Sequence, residues 1–215
     1  MQILYLIGNG FDVNLNMKTR YTDFYEYYQK QTTESDILNN LKKSIKEDVY
    51  TWSDLELKLG KYTENLNSYE EFKEIYEDLL EKFGDYLQEI EEQINWENTD
   101  LERFKDCLCN PENSLMQKEI NVINGFKDEF TKSQWIIDII SFNYTRSIEK
   151  LFAGNFKNAI IGRHHNGEII LLRTVLHLHG ELSNMVLGVN DVSQLKNTNF
   201  QKDKKILNAF IKEYN

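Results

Sequence analysis

Hydrophobic positions along this 215-residue chain follow two different rhythms. Ile3, Leu4, Tyr5, Leu6 and Ile7 form one unbroken apolar run, too short for a buried helix and rich enough in β-formers for a central strand. From Thr22 to Lys132 apolar residues recur instead at helical spacing. Phe24, Tyr27 and Tyr28 stand at i, i+3 and i+4 in a helix around Tyr21–Tyr28, an aromatic face that predicts core packing over a ring-stacking site. A second helix is expected over Asp36–Tyr50, with Ile37, Leu38, Leu41, Ile45 and Val49 on one side. Ser53 with Glu56, Ser68 with Glu71, and Thr99 with Glu102 have capping-box spacing. They predict a helix to about Asn65, a long one to about Ile94, and a third beyond Thr99. Pro111, the only proline, marks the start of a further helix over roughly Glu112 to Lys132.

At Trp135 the pattern turns back to β. Ile136, Ile137, Ile139 and Ile140 predict a second strand, ending in Ser141-Phe142-Asn143-Tyr144-Thr145. A short helix follows over Arg146 to Phe152. Asn158–Gly162, Val175–Gly180 and Met185–Asp191 are the expected third, fourth and fifth strands, and a basic helical stretch, Lys202 to Tyr214, comes last. Strands separated by helices predict an α/β fold with a mostly parallel, Rossmann-like sheet. The expected organisation is a single domain over 1–215, with a core of 1–21 and 133–215 and a large α-helical insertion, 22–132, between the first and second strands.

Composition narrows the function classes. A 40% hydrophobic, 13% aromatic chain has enough apolar surface to fold, which excludes a disordered protein. The net charge of −10 disfavours a general nucleic-acid-binding surface, which needs a basic face. Cys107 and Cys109 sit too close for a comfortable disulfide with each other, and no further cysteine completes a metal site around them. With no secretory signal, this fits the reducing cytoplasm. No apolar run approaches the ~20 residues that span a bilayer.

Candidate chemistry gathers where apolar runs stop. Gly8-Asn9-Gly10 allows a tight turn with positive φ and close backbone approach to a ligand, ahead of a helix start at Phe11-Asp12. Only two glycines of the dinucleotide fingerprint are present, so the turn alone has an equally good structural reading. Ligands of open parallel sheets bind outside the carboxyl ends of the strands. If the strands ending at Gly8–Gly10, at Asn143-Tyr144-Thr145 and at His179-Gly180 are neighbours, these residues line one crevice. Each also has a plainer role. Asn143 or Thr145 would serve as N-cap of the Arg146 helix, and His179 as a satisfied histidine before a turn glycine. Asp12 is the awkward member: a carboxylate at a helix start competes with phosphate for the same N–H groups.

Four motifs in order along the chain carry a family resemblance: Ile7–Asp12, Trp52-Ser53-Asp54-Leu55-Glu56, Phe142-Asn143-Tyr144-Thr145 and His177-Leu178-His179-Gly180. With them the sequence resembles the AbiH family of bacteriophage abortive-infection proteins, and Leu187–Asp191 and Phe200-Gln201-Lys202 also fit. The family continues with another apolar strand and a glycine-serine turn that this sequence lacks, as in a shortened chain. More distantly, the motifs are similar to those of sirtuin-like NAD-binding domains. That similarity implies NAD as ligand or substrate. Gly8, Asn9, Gly10, Asp12, Thr145 and Gly180 would bind it, and Asn143 would hold the nicotinamide ribose or an attacking water. His179 would act as general base, with the chemistry of an NAD glycohydrolase. Asp12 and Thr145 depart from the sirtuin pattern and no four-cysteine zinc module is present, so protein deacetylation does not follow.

Two other classes compete with a phage-defence enzyme. One is a non-catalytic nucleotide-sensing module whose acidic helical surface meets a phage or host protein, or a second copy in a homo-oligomer. The other is a metal-dependent hydrolase or nuclease using His177 and His179, which alternate along a strand, with His164-His165, Asp12 and Asp191 nearby. No recognised metal spacing supports it, and no metal ligand is assigned.

Overall fold

A computed structural model describes residues 1–130, 132–164 and 167–214. In chain order the elements are β1 (Gln2–Ile7), α1 (Gly10–Asn14), α2 (Tyr21–Tyr28), α3 (Asp36–Glu47), α4 (Leu55–Tyr62) and α5 (Tyr69–Glu92). They are followed by α6 (Leu101–Cys109), α7 (Gln117–Glu129), β2 (Trp135–Ser141), α8 (Ser147–Leu151), β3 (Ala159–Arg163), β4 (Ile169–His177) and α9 (Lys204–Phe210). The chain divides into two compact units: Met1–Phe11 with Ile94–Leu178, and Asp12–Gln93 with His179–Asn215. The long helical stretch is thereby shared out, α6 and α7 going with the sheet and α2 to α5 with the C-terminal residues.

The first unit is built on a four-stranded, mostly parallel sheet in the order β1-β2-β4-β3. β1 lies parallel to β2 from Gln2↔Ile136 to Ile7↔Ser141, and β2 parallel to β4 from Trp135↔Ile170 to Ser141↔His177. A bulge between Ile137 and Asp138 leaves Arg173 without a partner in the register. The expected third strand is present but antiparallel, at the edge against β4, and β4 begins at Ile169, earlier than expected. One sheet face is the core. Trp135, Ile137, Ile139, Ile170, Leu172 and Val175 pack with Leu108, Ile148, Leu151 and Phe152, while Ile3, Tyr5 and Ile7 of β1 close the same layer.

The second unit has an aromatic and aliphatic core. Phe24 and Tyr28 are fully buried, as the helical spacing predicts, while Tyr27 of the same face is only half-buried, and Phe24 meets Phe83 edge-on at 5.0 Å. Tyr25 is also inside, its hydroxyl donating to the Trp52 carbonyl at 2.7 Å. α5 starts as expected, with the Ser68 hydroxyl accepting from Glu71 N at 3.2 Å. Two other caps differ from expectation. Asp54, not Ser53, accepts from Leu57 N, and Asp100, not Thr99, accepts from Arg103 N. Each aspartate places its acceptor one position closer to the first turn.

Three further expectations are corrected. Met185–Asp191 forms no strand: only an isolated bridge joins Val189 to Ile211, because this segment packs against α9 through Val189 N→Phe210 O at 2.9 Å. Pro111 opens a short 3-10 turn, Pro111–Ser114, rather than the helix itself. α7 ends at Glu129, before Lys132, and Thr131 lies outside the described residues. Among the described residues no helix is long and apolar enough to cross a membrane.

The glycines separate into two kinds. Gly180 takes φ +76°, and a Cβ there would stand 2.2 Å from the Asn184 carbonyl oxygen. Gly8 and Gly10 do not have positive φ, contrary to expectation, and a Cβ on either meets nothing within 4 Å. Gly180→Ala is expected to cost more than about 1 kcal/mol of stability, whereas Gly8→Ala stays within about 0.5 kcal/mol. Urea-denaturation midpoints of the two variants check both.

Candidate functional site

At the carboxyl ends of the parallel strands, Ile7, Ser141 and His177 stand abreast. Hydrogen bonds carry the ladder one residue further, Phe142 N donating to Ile7 O at 2.8 Å and Leu178 N to Ser141 O at 2.9 Å. The Gly8–Gly10 and Asn143–Thr145 turns therefore leave neighbouring strands at one level, as the sequence pattern requires. Gly8, Asn9 and Gly10 are exposed, and the turn closes into α1 through Phe11 N→Gly8 O at 3.0 Å. What the glycines supply is open space above the backbone rather than an unusual dihedral.

Asn143 leaves the strand next to that turn and is only 7% exposed. Its backbone N–H donates to Ser141 Oγ at 3.2 Å and its carbonyl accepts from His177 Nδ1 at 2.8 Å. Its side-chain Oδ1 is buried and, among the described residues, has no hydrogen-bond partner. Thr145, 2% exposed, accepts from Ser147 Oγ at 3.1 Å. Neither caps α8: the N-cap position is Arg146, which makes no side-chain cap.

Behind Asn143 stands a pair whose function the sequence does not announce. His177 Nε2 lies 2.9 Å from Glu149 Oε1, with the two side chains 5% and 6% exposed. A backbone carbonyl can only accept, so Nδ1 carries a hydrogen. The Nε2···Oε1 contact needs a second proton between its atoms. His177 and Glu149 thus share one proton as a unit and tie the Asn143 loop to α8. Glu149 sits among solvent-facing charges in the sequence, and only the packing of α8 reveals it as buried. Glu149 Oε2 also lacks a hydrogen-bond partner among the described residues.

The remaining expected site residues, Asp12, His179 and Gly180, belong to the second unit. Asp12 is 1% exposed within α1, and its carbonyl accepts from Leu15 N and Met17 N, both at 3.0 Å. The helix begins at Gly10, so Asp12 stands in its first turn, the helix-start carboxylate that the sequence suggests. His179 is half-buried. Its Nε2 lies 3.4 Å from Lys212 Nζ, and Lys212 in turn holds Glu56 Oε2 at 2.7 Å. Burial first, and then the Lys212 charge, hold the His179 imidazole below its ordinary value, with Glu56 opposing. The imidazole is thereby kept in its basic, neutral form. Glu56 was expected as a capping partner of Ser53; it is instead the counter-charge of Lys212. Gly180 serves the backbone turn after His179, whose carbonyl accepts from Val186 N at 2.8 Å.

His177 and His179 do not extend along one strand, since β4 ends at His177. His165 lies outside the described residues. Among those described, no three His, Cys, Asp or Glu side chains come together in a group that would hold a metal ion.

Glu149→Ala removes the carboxylate from the buried His177 imidazole and is expected to cost about 3–5 kcal/mol in urea unfolding. Glu149→Gln should cost far less, because a neutral His177 with its hydrogen on Nδ1 offers Nε2 to the amide N–H. Equal losses for both would refute the shared-proton arrangement. For His179 the unfolded chain takes up its proton first on acidification, near 6.5, because the folded pKa is lower. Stability is therefore present above that pH and lost as pH falls below it. His179→Gln should flatten the decline in unfolding midpoint between pH 7.5 and 5.5.

These features can be set beside known proteins. No curated protein and no solved structure matches the chain. The description of one family, bacteriophage abortive infection AbiH, matches residues 4–215. A match that runs through both strand-end turns and the His177–Gly180 segment covers nearly the whole sequence, and the chain belongs to the AbiH family.

Proposed function

We propose that this AbiH protein acts in phage abortive infection by binding NAD at the carboxyl end of its sheet and hydrolysing it to nicotinamide and ADP-ribose. The observation that carries the reading is the Asn143 side-chain oxygen, buried and, among the described residues, without a donor, on the loop that leaves the strand next to the Gly8–Gly10 turn. A buried carbonyl left unpaired costs about 1–3 kcal/mol, and such groups concentrate where a ligand completes them. A ribose hydroxyl is a donor of the right kind. The bare backbone at Gly8 and Gly10 admits a bulky phosphate-bearing ligand that side chains there would exclude. The mostly parallel sheet is read as a Rossmann-like variant on the same grounds, since ligands of such sheets gather at this edge.

In the proposed reaction the bond between ribose C1′ and the nicotinamide nitrogen breaks. Its electron pair stays on the nitrogen, which becomes uncharged, and water oxygen bonds to C1′. The proton that water loses goes to a general base. The neutral His179, assigned that role by the resemblance, has the protonation state it demands.

Calorimetry and nicotinamide release on the purified chain test the two steps separately. Gly10→Ala, which the fold tolerates, and Asn143→Ala are expected to weaken NAD binding at least tenfold. His179→Ala should retain binding and lose release. Binding without release in the parent chain would replace the hydrolase with a nucleotide-sensing module. An absence of binding to both NAD and ADP-ribose overturns the reading altogether.

A further inference from the structure

The two faces of the sheet in the first unit are unequal in a way that their sequences are not. β1 reads Ile3-Leu4-Tyr5-Leu6-Ile7 and β2 Trp135-Ile136-Ile137-Asp138-Ile139-Ile140, near-continuous apolar runs rather than alternations. Such runs belong to parallel strands buried on both faces, and parallel sheets are found almost only with both faces covered. Within the first unit, helices pack on one face only. On the other, Leu4 is 56% exposed, Leu6 65%, Leu176 57%, Leu178 59%, Ile160 53% and Phe142 37%.

These six residues form one patch. Leu6 pairs in register with Ile140 and Ile140 with Leu176, so the row crosses three strands. Phe142 and Leu178 extend it beyond the strand ends, and Ile160 lies on β3. Arg163, opposite Ile169, stands at one corner of the face and donates to the Gly167 carbonyl at 3.0 Å, and one charged pair lies within the face. Asp138 accepts from Arg173 through two hydrogen bonds and from Gln2 Nε2 at 2.8 Å, so its charge is answered in place. Arg173 first, and Gln2 with it, holds the carboxyl below the ordinary aspartate value.

The exposed side chains present on the order of 500–600 Å² of apolar surface, at the upper end of what a monomer carries and close to the ~800 Å² per partner of a standard interface. That surface is aliphatic but for Phe142, and the ion pair within it is self-neutralised. Apposed to its own copy about β1, β2 and β4, with Arg163 left at the β3 corner, it would bury no unanswered charge, which suits an isologous contact. A chain with net charge −10 has its attraction for basic partners in its acidic surface and not on this patch. We propose that this sheet face is the interface of a homodimer, two copies packing Leu4, Leu6, Phe142, Leu176 and Leu178 against each other in a two-sheet sandwich. The proposal does not depend on NAD binding, and its test needs no nucleotide.

Sedimentation velocity on the full chain between about 1 and 100 µM is the experiment. The expected result is a single species at twice the 25.6 kDa chain mass. Leu6→Lys on β1 and Leu176→Lys on β4, each placing a charge within the patch at an already exposed position, should weaken dimerisation at least 100-fold with unchanged circular dichroism. Tyr50→Lys, in the second unit and 91% exposed, should leave the dimer intact. Ile160→Lys, at the patch edge, gives a milder loss and guards against a misfolded central variant. A monomer at 100 µM overturns the proposal, and so does a polydisperse aggregate. A dimer that both central lysine variants leave unchanged overturns it as well, because its contact then lies elsewhere.

Discussion

The parallel ladder between β1 and β2 is the constraint on which the first unit depends. It joins the first seven residues to a strand that begins at Trp135, and it fixes the register from Gln2↔Ile136 to Ile7↔Ser141. A slip by one residue would turn Ile3, Tyr5 and Ile7 out of the core and bring Leu4 and Leu6 in. The same slip would separate the Gly8 turn from the Asn143 loop. Core packing and site geometry are therefore secured by one set of hydrogen bonds.

Two histidines near the end of β4 are held in contrasting ways. His177 is enclosed, with both ring nitrogens committed to Asn143 O and Glu149. Its chemistry is spent on holding a loop in place. His179 faces an ammonium group, is only half-buried, and keeps its basic form. Two residues of separation along the chain thus divide a structural histidine from one suited to proton transfer. The physical difference is the surroundings: His177 meets a carboxylate, whereas burial first, and then a lysine, disfavour the charged form of His179.

The two faces of the sheet show how packing decides the meaning of an apolar residue. Ile137 and Ile139 are wholly buried, whereas Leu6 and Leu176, no less apolar, face outward. Continuous apolar strands state that both faces are to be covered, without naming what covers them.

Much of this molecule is legible in its sequence. Helical periodicity located α2, α3 and α5, the Ser68 cap marked the start of α5, and the apolar runs located β1 and β2. The abrupt stops at Gly8 and Asn143 placed two candidate turns on what prove to be neighbouring strands, because strand ends and turn residues are local matters. Other features depended on distant partners. Asp54 displaced Ser53 as a cap because the geometry of the first turn chose between adjacent acceptors. Met185–Asp191 carries a strand's composition but meets the Phe210 backbone instead of a sheet edge. Glu149 and Glu56 resemble any solvated glutamate until a helix or a lysine from elsewhere in the chain encloses them. Local chemistry, which acts within a few residues, was set by the sequence alone. Burial, protonation and pairing, which depend on groups brought together over a hundred positions, were decided only by the tertiary structure.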